Sequence, residues 1–199
     1  MNKKRKTSRG YSPRKVNTRE VRQRFLIVCE GKKTEPNYFR NFRVPTVVIE
    51  IKGLGTSPSN LVKKTKELKC QEDYDQVWCV FDRDSCPEDD FNNAIRKAEK
   101  EKIKVAYSNE AFELWYILHF EFVNTGIPRK NYKKKLTKLL GYQYHKNSDS
   151  IYDDLIDKQD NAIKNAANLL KQYNPQNPAR DNPSTTVHLL VQELNKFIP

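Results

Sequence analysis

A chain of 199 residues with 37% hydrophobic side chains is long enough to bury one full core, and no apolar run approaches the roughly 20 residues that span a bilayer. The formal net charge of +12 is concentrated at the front, where residues 1–24 hold ten Lys or Arg against the single acid Glu20, a net of +9 that leaves +3 for the remainder. The cysteines Cys29, Cys70, Cys79 and Cys86 lack Cys-x-x-Cys pairing or a His at zinc spacing, which argues against a zinc site or a disulfide framework and reads as small buried hydrophobes.

Residues 1–23, with Gly10, Ser12, Pro13 and almost no apolar side chains, read as a basic flexible arm. Such an arm gains affinity for phosphate backbones by counterion release, or simply solubilises the chain. It lacks the apolar core and small-residue cleavage site of a secretory signal, so cytoplasmic residence is expected.

From Phe25 onward, apolar runs alternate with helical patterns, the signature of stacked βαβ units and a mainly parallel sheet flanked by helices. Strands are predicted at 24–29, 46–51, 76–81 and 104–107. Helices are predicted at 35–42, at 59–68 with Ser57 as cap and Pro58 in the first turn, and at 86–102. The acids Glu88, Asp89 and Asp90 suit the positive end of that third helix. The loop 52–58, with Gly53 and Gly55, reads as a structural turn.

After Asn109 helices dominate and no further strand is predicted. The α/β domain is expected over 24–125, with a C-terminal helical extension over 126–199 packed on the same domain. Residues 111–120 form an almost wholly apolar helix, 129–146 a basic stretch, 149–160 an acidic helix, and 185–197 a last helix capped by Ser184.

Two acidic motifs end predicted strands. Glu30 closes the run Phe25-Leu-Ile-Val-Cys29, and flexible Gly31 lets the chain turn beside a ligand. Asp82 and Asp84 follow Val77-Trp-Cys-Val-Phe81 and share a side if the chain stays extended. Acids at the carboxyl ends of neighbouring parallel strands converge on one crevice and suit a hard divalent cation. Glu30, Asp82 and Asp84 are therefore the expected ligands of Mg2+ or Mn2+. Glu35 is assigned to capping the first helix. Gly31-Lys-Lys-Thr34 lacks the spacing of a nucleotide-binding loop, which excludes an ATPase reading.

Glu113 is the only charged side chain from Ala111 to Phe120. A carboxylate on a buried helix needs a cation, a donor or a proton. It is expected either to complete the catalytic group of Glu30, Asp82 and Asp84 or to form a core salt bridge. His119 is assigned to a core hydrogen bond. Lys32 and Lys33 in the first turn, and Arg129, Lys130, Lys133, Lys134, Lys135 and Lys138, are expected to contact phosphates. Tyr132, Tyr142 and Tyr144, interleaved with them, would stack on bases.

Glu30-Gly31 and Asp82-Arg-Asp84 resemble the Toprim metal site of primases, topoisomerases and related nucleases. Three strings, Val28-Cys-Glu-Gly-Lys-Lys-Thr-Glu-Pro-Asn-Tyr-Phe39, Phe81-Asp-Arg-Asp84 and Ser108-Asn-Glu-Ala-Phe-Glu-Leu-Trp-Tyr-Ile-Leu-His119, together resemble the RloB-like (AbiLii-like) family. Glu110-Ala111 stands where that family's Asn-Pro-x-Phe-Glu string has Pro and a small or polar residue. The resemblance implies a Toprim-like α/β fold and a role in abortive infection and phage defence with a companion ATPase. The expected activity is metal-dependent cleavage of RNA, transfer RNA included, or DNA. The alternative is a non-catalytic nucleic-acid-binding regulator of that ATPase. Phosphoryl transfer or nucleotide synthesis fits the same acids but has no nucleotide fingerprint to support it.

Overall fold

The computed structural model describes residues 23–42, 44, 47–148 and 150–198. The basic arm lies outside the described residues except for Gln23, and so do Thr46 and Asp149. In chain order the elements are β1 (Gln23–Cys29), α1 (Thr34–Arg40), β2 (Val47–Gly53), α2 (Pro58–Lys69), β3 (Gln76–Asp82), α3 (Glu88–Lys100), β4 (Lys104–Asn109), α4 (Glu113–Leu118), α5 (Arg129–Leu140), α6 (Ile151–Leu155), α7 (Gln159–Leu170), β5 (Ser184–Thr185) and α8 (Val187–Asn195). The strands order as β2-β1-β3-β4-β5, the first four parallel and β5 antiparallel to β4.

Strand periodicity builds the layers. Phe25, Ile27 and Cys29 of β1 face one side of the sheet with Trp78 and Val80, while Leu26 and Val28 face the other with Val77, Cys79 and Phe81. Both sets are buried, so β1 reads as one continuous apolar run, as a doubly covered parallel strand should. On the second face α2 and α3 close the core through Leu61, Val62, Phe91, Ala94 and Ala98. The first face is covered by α1, α4 and the C-terminal helices, whose Tyr132, Leu136, Leu155, Ala162, Leu169 and Leu190 join one cluster with the sheet. The C-terminal helices therefore pack on the sheet and share its core.

Several local expectations need correction. The apolar stretch 111–120 is helical only over its middle, Glu113–Leu118. Ser57 takes the position before α2, but its side chain makes no capping hydrogen bond. Ser184 does not cap the last helix: it lies in β5, where its Oγ donates to the carbonyl of Asp181 at 2.6 Å, and α8 starts at Val187. The acidic helix is interrupted by a 3-10 turn at Ile156–Lys158. All four cysteines are free, with Cys29 and Cys79 buried as expected, Cys70 exposed and Cys86 intermediate.

Strand order also sets where a crevice can open. From β1 the chain crosses to β2 on one side, and β3 lies on the other. The carboxyl ends of β1 and β3 thus flank the point where strand order reverses, which is where open α/β sheets leave a crevice.

Candidate functional site

The turn after β1 is held to β3 by main chain and side chain together. The amide of Glu30 donates to the carbonyl of Val80 at 2.8 Å, and Glu30 Oε2 accepts the amide of Asp82 at 3.0 Å. Gly31 then donates its amide to Glu35 Oε1 at 3.2 Å, folding the first turn of α1 back onto the strand end. A Cβ on Gly31 would fall on the Glu35 carboxylate, so this close approach requires glycine. The loop after β2 forms a wall: Leu54 and Gly55 donate to the carbonyls of Cys29 and Glu30 at 3.0 and 2.7 Å, and a Cβ on Gly53 would meet the carbonyl oxygen of Gly31 at 2.6 Å.

Asp82 is the last residue of β3, and its buried Oδ1 has no hydrogen-bond partner. The chain does not stay extended beyond it. Asp84 sits at φ 35°, donates its amide to the carbonyl of Glu110 at 3.0 Å and pairs its carboxylate with Arg129 at 3.1 Å. The Arg83 side chain turns away to the carbonyl of Ala179 at 3.1 Å. Glu113 opens α4 with its side chain 4% exposed, and Lys146 Nζ lies 2.9 Å from its Oε1.

These acids act on one another. Burial raises the Asp82 carboxyl well above the ordinary aspartate range, and the charges of Glu35, Glu113 and Glu30 raise it further against the pull of Arg129. Glu30 is pushed up to about 7, first by burial and then by Glu35 and Asp84, with the Asp82 amide and Arg129 opposing. Burial raises Glu35 as well; the Gly31 amide opposes that, Glu113 adds to it and Lys146 opposes it. The site is thus a knot of mutually repelling carboxylates in which Lys146 and Arg129 pair directly only with Glu113 and Asp84, and an orphaned buried oxygen at Asp82 marks its centre.

Hard oxygen donors of this kind suit Mg2+ or Mn2+. Among the described residues, however, no group of three or more His, Cys, Asp or Glu side chains is arranged to hold a metal ion. The reason lies in the partners: Glu30 is turned to an amide, Glu35 to another, Asp84 to Arg129 and Glu113 to Lys146.

The family model for RloB-like protein matches residues 25–194. The chain belongs to the RloB-like family. No curated protein and no solved structure matches it. In this RloB-like chain the matched segment takes in both strand-end motifs and α4, and leaves out the basic arm.

Of the residues expected to meet nucleic acid, Lys32, Lys33, Lys130, Lys133, Lys134 and Lys138 are exposed. Lys130, Lys133 and Lys134 line a shallow cavity of about 540 Å³ with Thr137 and Gln143. Lys135 pairs with Glu121 at 2.5 Å, and Arg129 is engaged by Asp84. Tyr132 needs correction as a base-stacking residue: it is 2% exposed and packed in the core, as is Tyr144. Tyr142 is exposed, with its hydroxyl bonded to Asp154. His119 lies in the core with Nδ1 2.8 Å from the carbonyl of Trp115. Sequence reasoning kept Glu35 outside the acidic group and placed Lys146 in the basic stretch expected to grip phosphates; the fold brings both into the site, with Lys146 as the salt-bridge partner of Glu113.

Proposed function

We propose that this RloB-like chain is a divalent-metal-dependent nuclease with a Toprim-like site, acting as an abortive-infection effector on RNA, transfer RNA included, or DNA. The observation that carries the reading is the convergence of Glu30, Glu35, Asp82 and Glu113 at the strand-order switch, centred on the unpaired Asp82 Oδ1. Asp82 and Glu30 would hold Mg2+ or Mn2+, with Asp84 nearby. When bound, the cation polarises the scissile phosphate and acidifies a water. Half-buried Glu30 takes the general-base role. Lys130, Lys133, Lys134 and Lys138 grip the phosphate backbone, and Lys32 and Lys33 do so beside the Glu30 turn.

The test compares the purified protein with Glu30→Gln and Asp82→Asn on labelled transfer RNA and DNA, with and without Mg2+ or Mn2+. Metal-dependent cleavage lost in both variants is the expected result. Full activity in both would sink the site.

A second reading draws on the same geometry, since each acid other than Asp82 already has a donor or cation of the chain's own. That arrangement favours a non-catalytic nucleic-acid-binding regulator of a companion defence ATPase. Salt-sensitive binding without cleavage, with the ATPase present, would select it.

A further inference from the structure

We propose that Lys146 is the resident cation of the acidic site, holding Glu113 in the metal-free chain, and that a divalent cation enters by displacing its ammonium. The inference rests on the metal-dependent reading and assigns the residue that sets metal affinity. Glu113 is almost completely buried, and a buried carboxylate without a counter-charge is strongly unfavourable. Lys146 supplies that charge at 2.9 Å. The other cation at the site, Arg129, binds Asp84, with both side chains well exposed at 39% and 46%. Lys146 therefore neutralises the deepest acid, and its charge also opposes the rise in the proton affinity of Glu35.

The loop that carries Lys146 is built to present it. Tyr144 is buried beside Tyr116, ring centroids 6.2 Å apart, and its amide donates to Thr137 Oγ1 at 3.1 Å. Thr34, next to Glu35, donates its hydroxyl to the carbonyl of Lys146 at 3.3 Å. The backbone is thus tied on both sides of the loop, to α5 and to α1. The Lys146 side chain itself is 55% exposed, so the ammonium can leave for solvent along its flexible stem without refolding the loop. A divalent cation coordinated by Glu113 would repel an ammonium bound to the same oxygen, which makes the two occupants exclusive.

The experiment uses the full chain stripped with chelator, with Mn2+ as the probe and free Mn2+ read from its paramagnetic resonance signal. Lys146→Met and Lys146→Gln, both of similar length, are expected to bind Mn2+ about fivefold to tenfold more tightly than the parent, the exposed lysine head limiting the gain. In chelator both variants should melt below the parent; in saturating Mn2+ the order should invert. Parent and variants binding Mn2+ equally, or variants binding it more weakly, would overturn the displacement while leaving a metal site standing. No Mn2+ binding by any of the three would overturn both the displacement and the metal-dependent reading.

Discussion

Gly31 is where a missing side chain decides the site, because the Glu35 carboxylate occupies the space its Cβ would need. Gly31→Ala should cost about 1–2 kcal/mol in urea unfolding, since it expels a buried carboxylate from its amide donor. Adding Glu35→Ala removes the obstruction, so the double variant should be less destabilised than the sum by at least about 0.5 kcal/mol. Strict additivity would show that the two residues do not meet. Asp82 yields the opposite sign. Its carboxylate is buried among three other acids and has one unpaired oxygen. Asp82→Asn should therefore raise the melting temperature of chelator-treated protein, a gain of about 1 kcal/mol, and abolish any further rise on adding Mg2+. A lower melting temperature in chelator would show the acid to be stabilising as it stands. Glu30 and Asp82 were legible in the sequence because acids directly closing apolar strands have few other uses. Glu35 was not, because it reaches the group only after the chain doubles back through Gly31. Lys146 was legible only as a member of the basic stretch, because its pairing with Glu113 joins a distant loop to α4.

α5 carries two stripes on one helix. Lys130, Lys134 and Lys138 recur every fourth position and are exposed, while Tyr132 and Leu136 recur with the same spacing and are buried. That register was present in the sequence. Interleaving aromatics with lysines suggested stacking, but the helical period assigns Tyr132 to the Leu136 face, so the core claims it. With Tyr132 and Tyr144 in the core and Tyr142 the exposed one of the three, this surface of lysines predicts recognition chiefly by charge. Replacing Lys130, Lys134 and Lys138 with Ala should lower the dependence of log affinity on log salt by about 2–3 for duplex nucleic acid, while Tyr142→Ala leaves that slope alone. An unchanged slope in the triple variant would place the binding surface elsewhere. The elements themselves were legible wherever an apolar run or stripe spans several residues, as in β1, β3 and α3. β5 was not: Ser184 and Thr185 form a strand only because the exposed edge of β4 offers Ser108 and Asn109 as partners.

The layer that covers the site-bearing helix also buries two histidines, and their combined behaviour belongs to the whole molecule. The apolar stretch around Glu113 identified its surroundings as core, and His119 sits within it. The His119 Nδ1–H donates to the Trp115 carbonyl, which leaves Nε2 in the core without a partner. A second proton there would be a buried, unsatisfied charge, and burial lowers the His119 pKa to about 4. His188 in α8 is buried too and is lowered to about 4 for the same reason. Unfolded, both rings would titrate near 6.5. Between about pH 6.5 and 4 the unfolded chain therefore binds more protons at these rings than the folded one, so their contribution falls as pH drops through that window. The loss is at most about 3 kcal/mol per ring and levels off once pH falls below the folded value. Carboxylates raised by burial, Glu30 and Asp82 among them, pull the other way in part of this range, so the histidine contribution must be isolated by difference. Urea unfolding of the parent and of His119→Gln/His188→Gln at several pH values across that window supplies it. The parent should lose more stability than the double variant on acidification, with the curves parallel above pH 7. Parallel curves throughout would mean that both rings accept protons within the folded core.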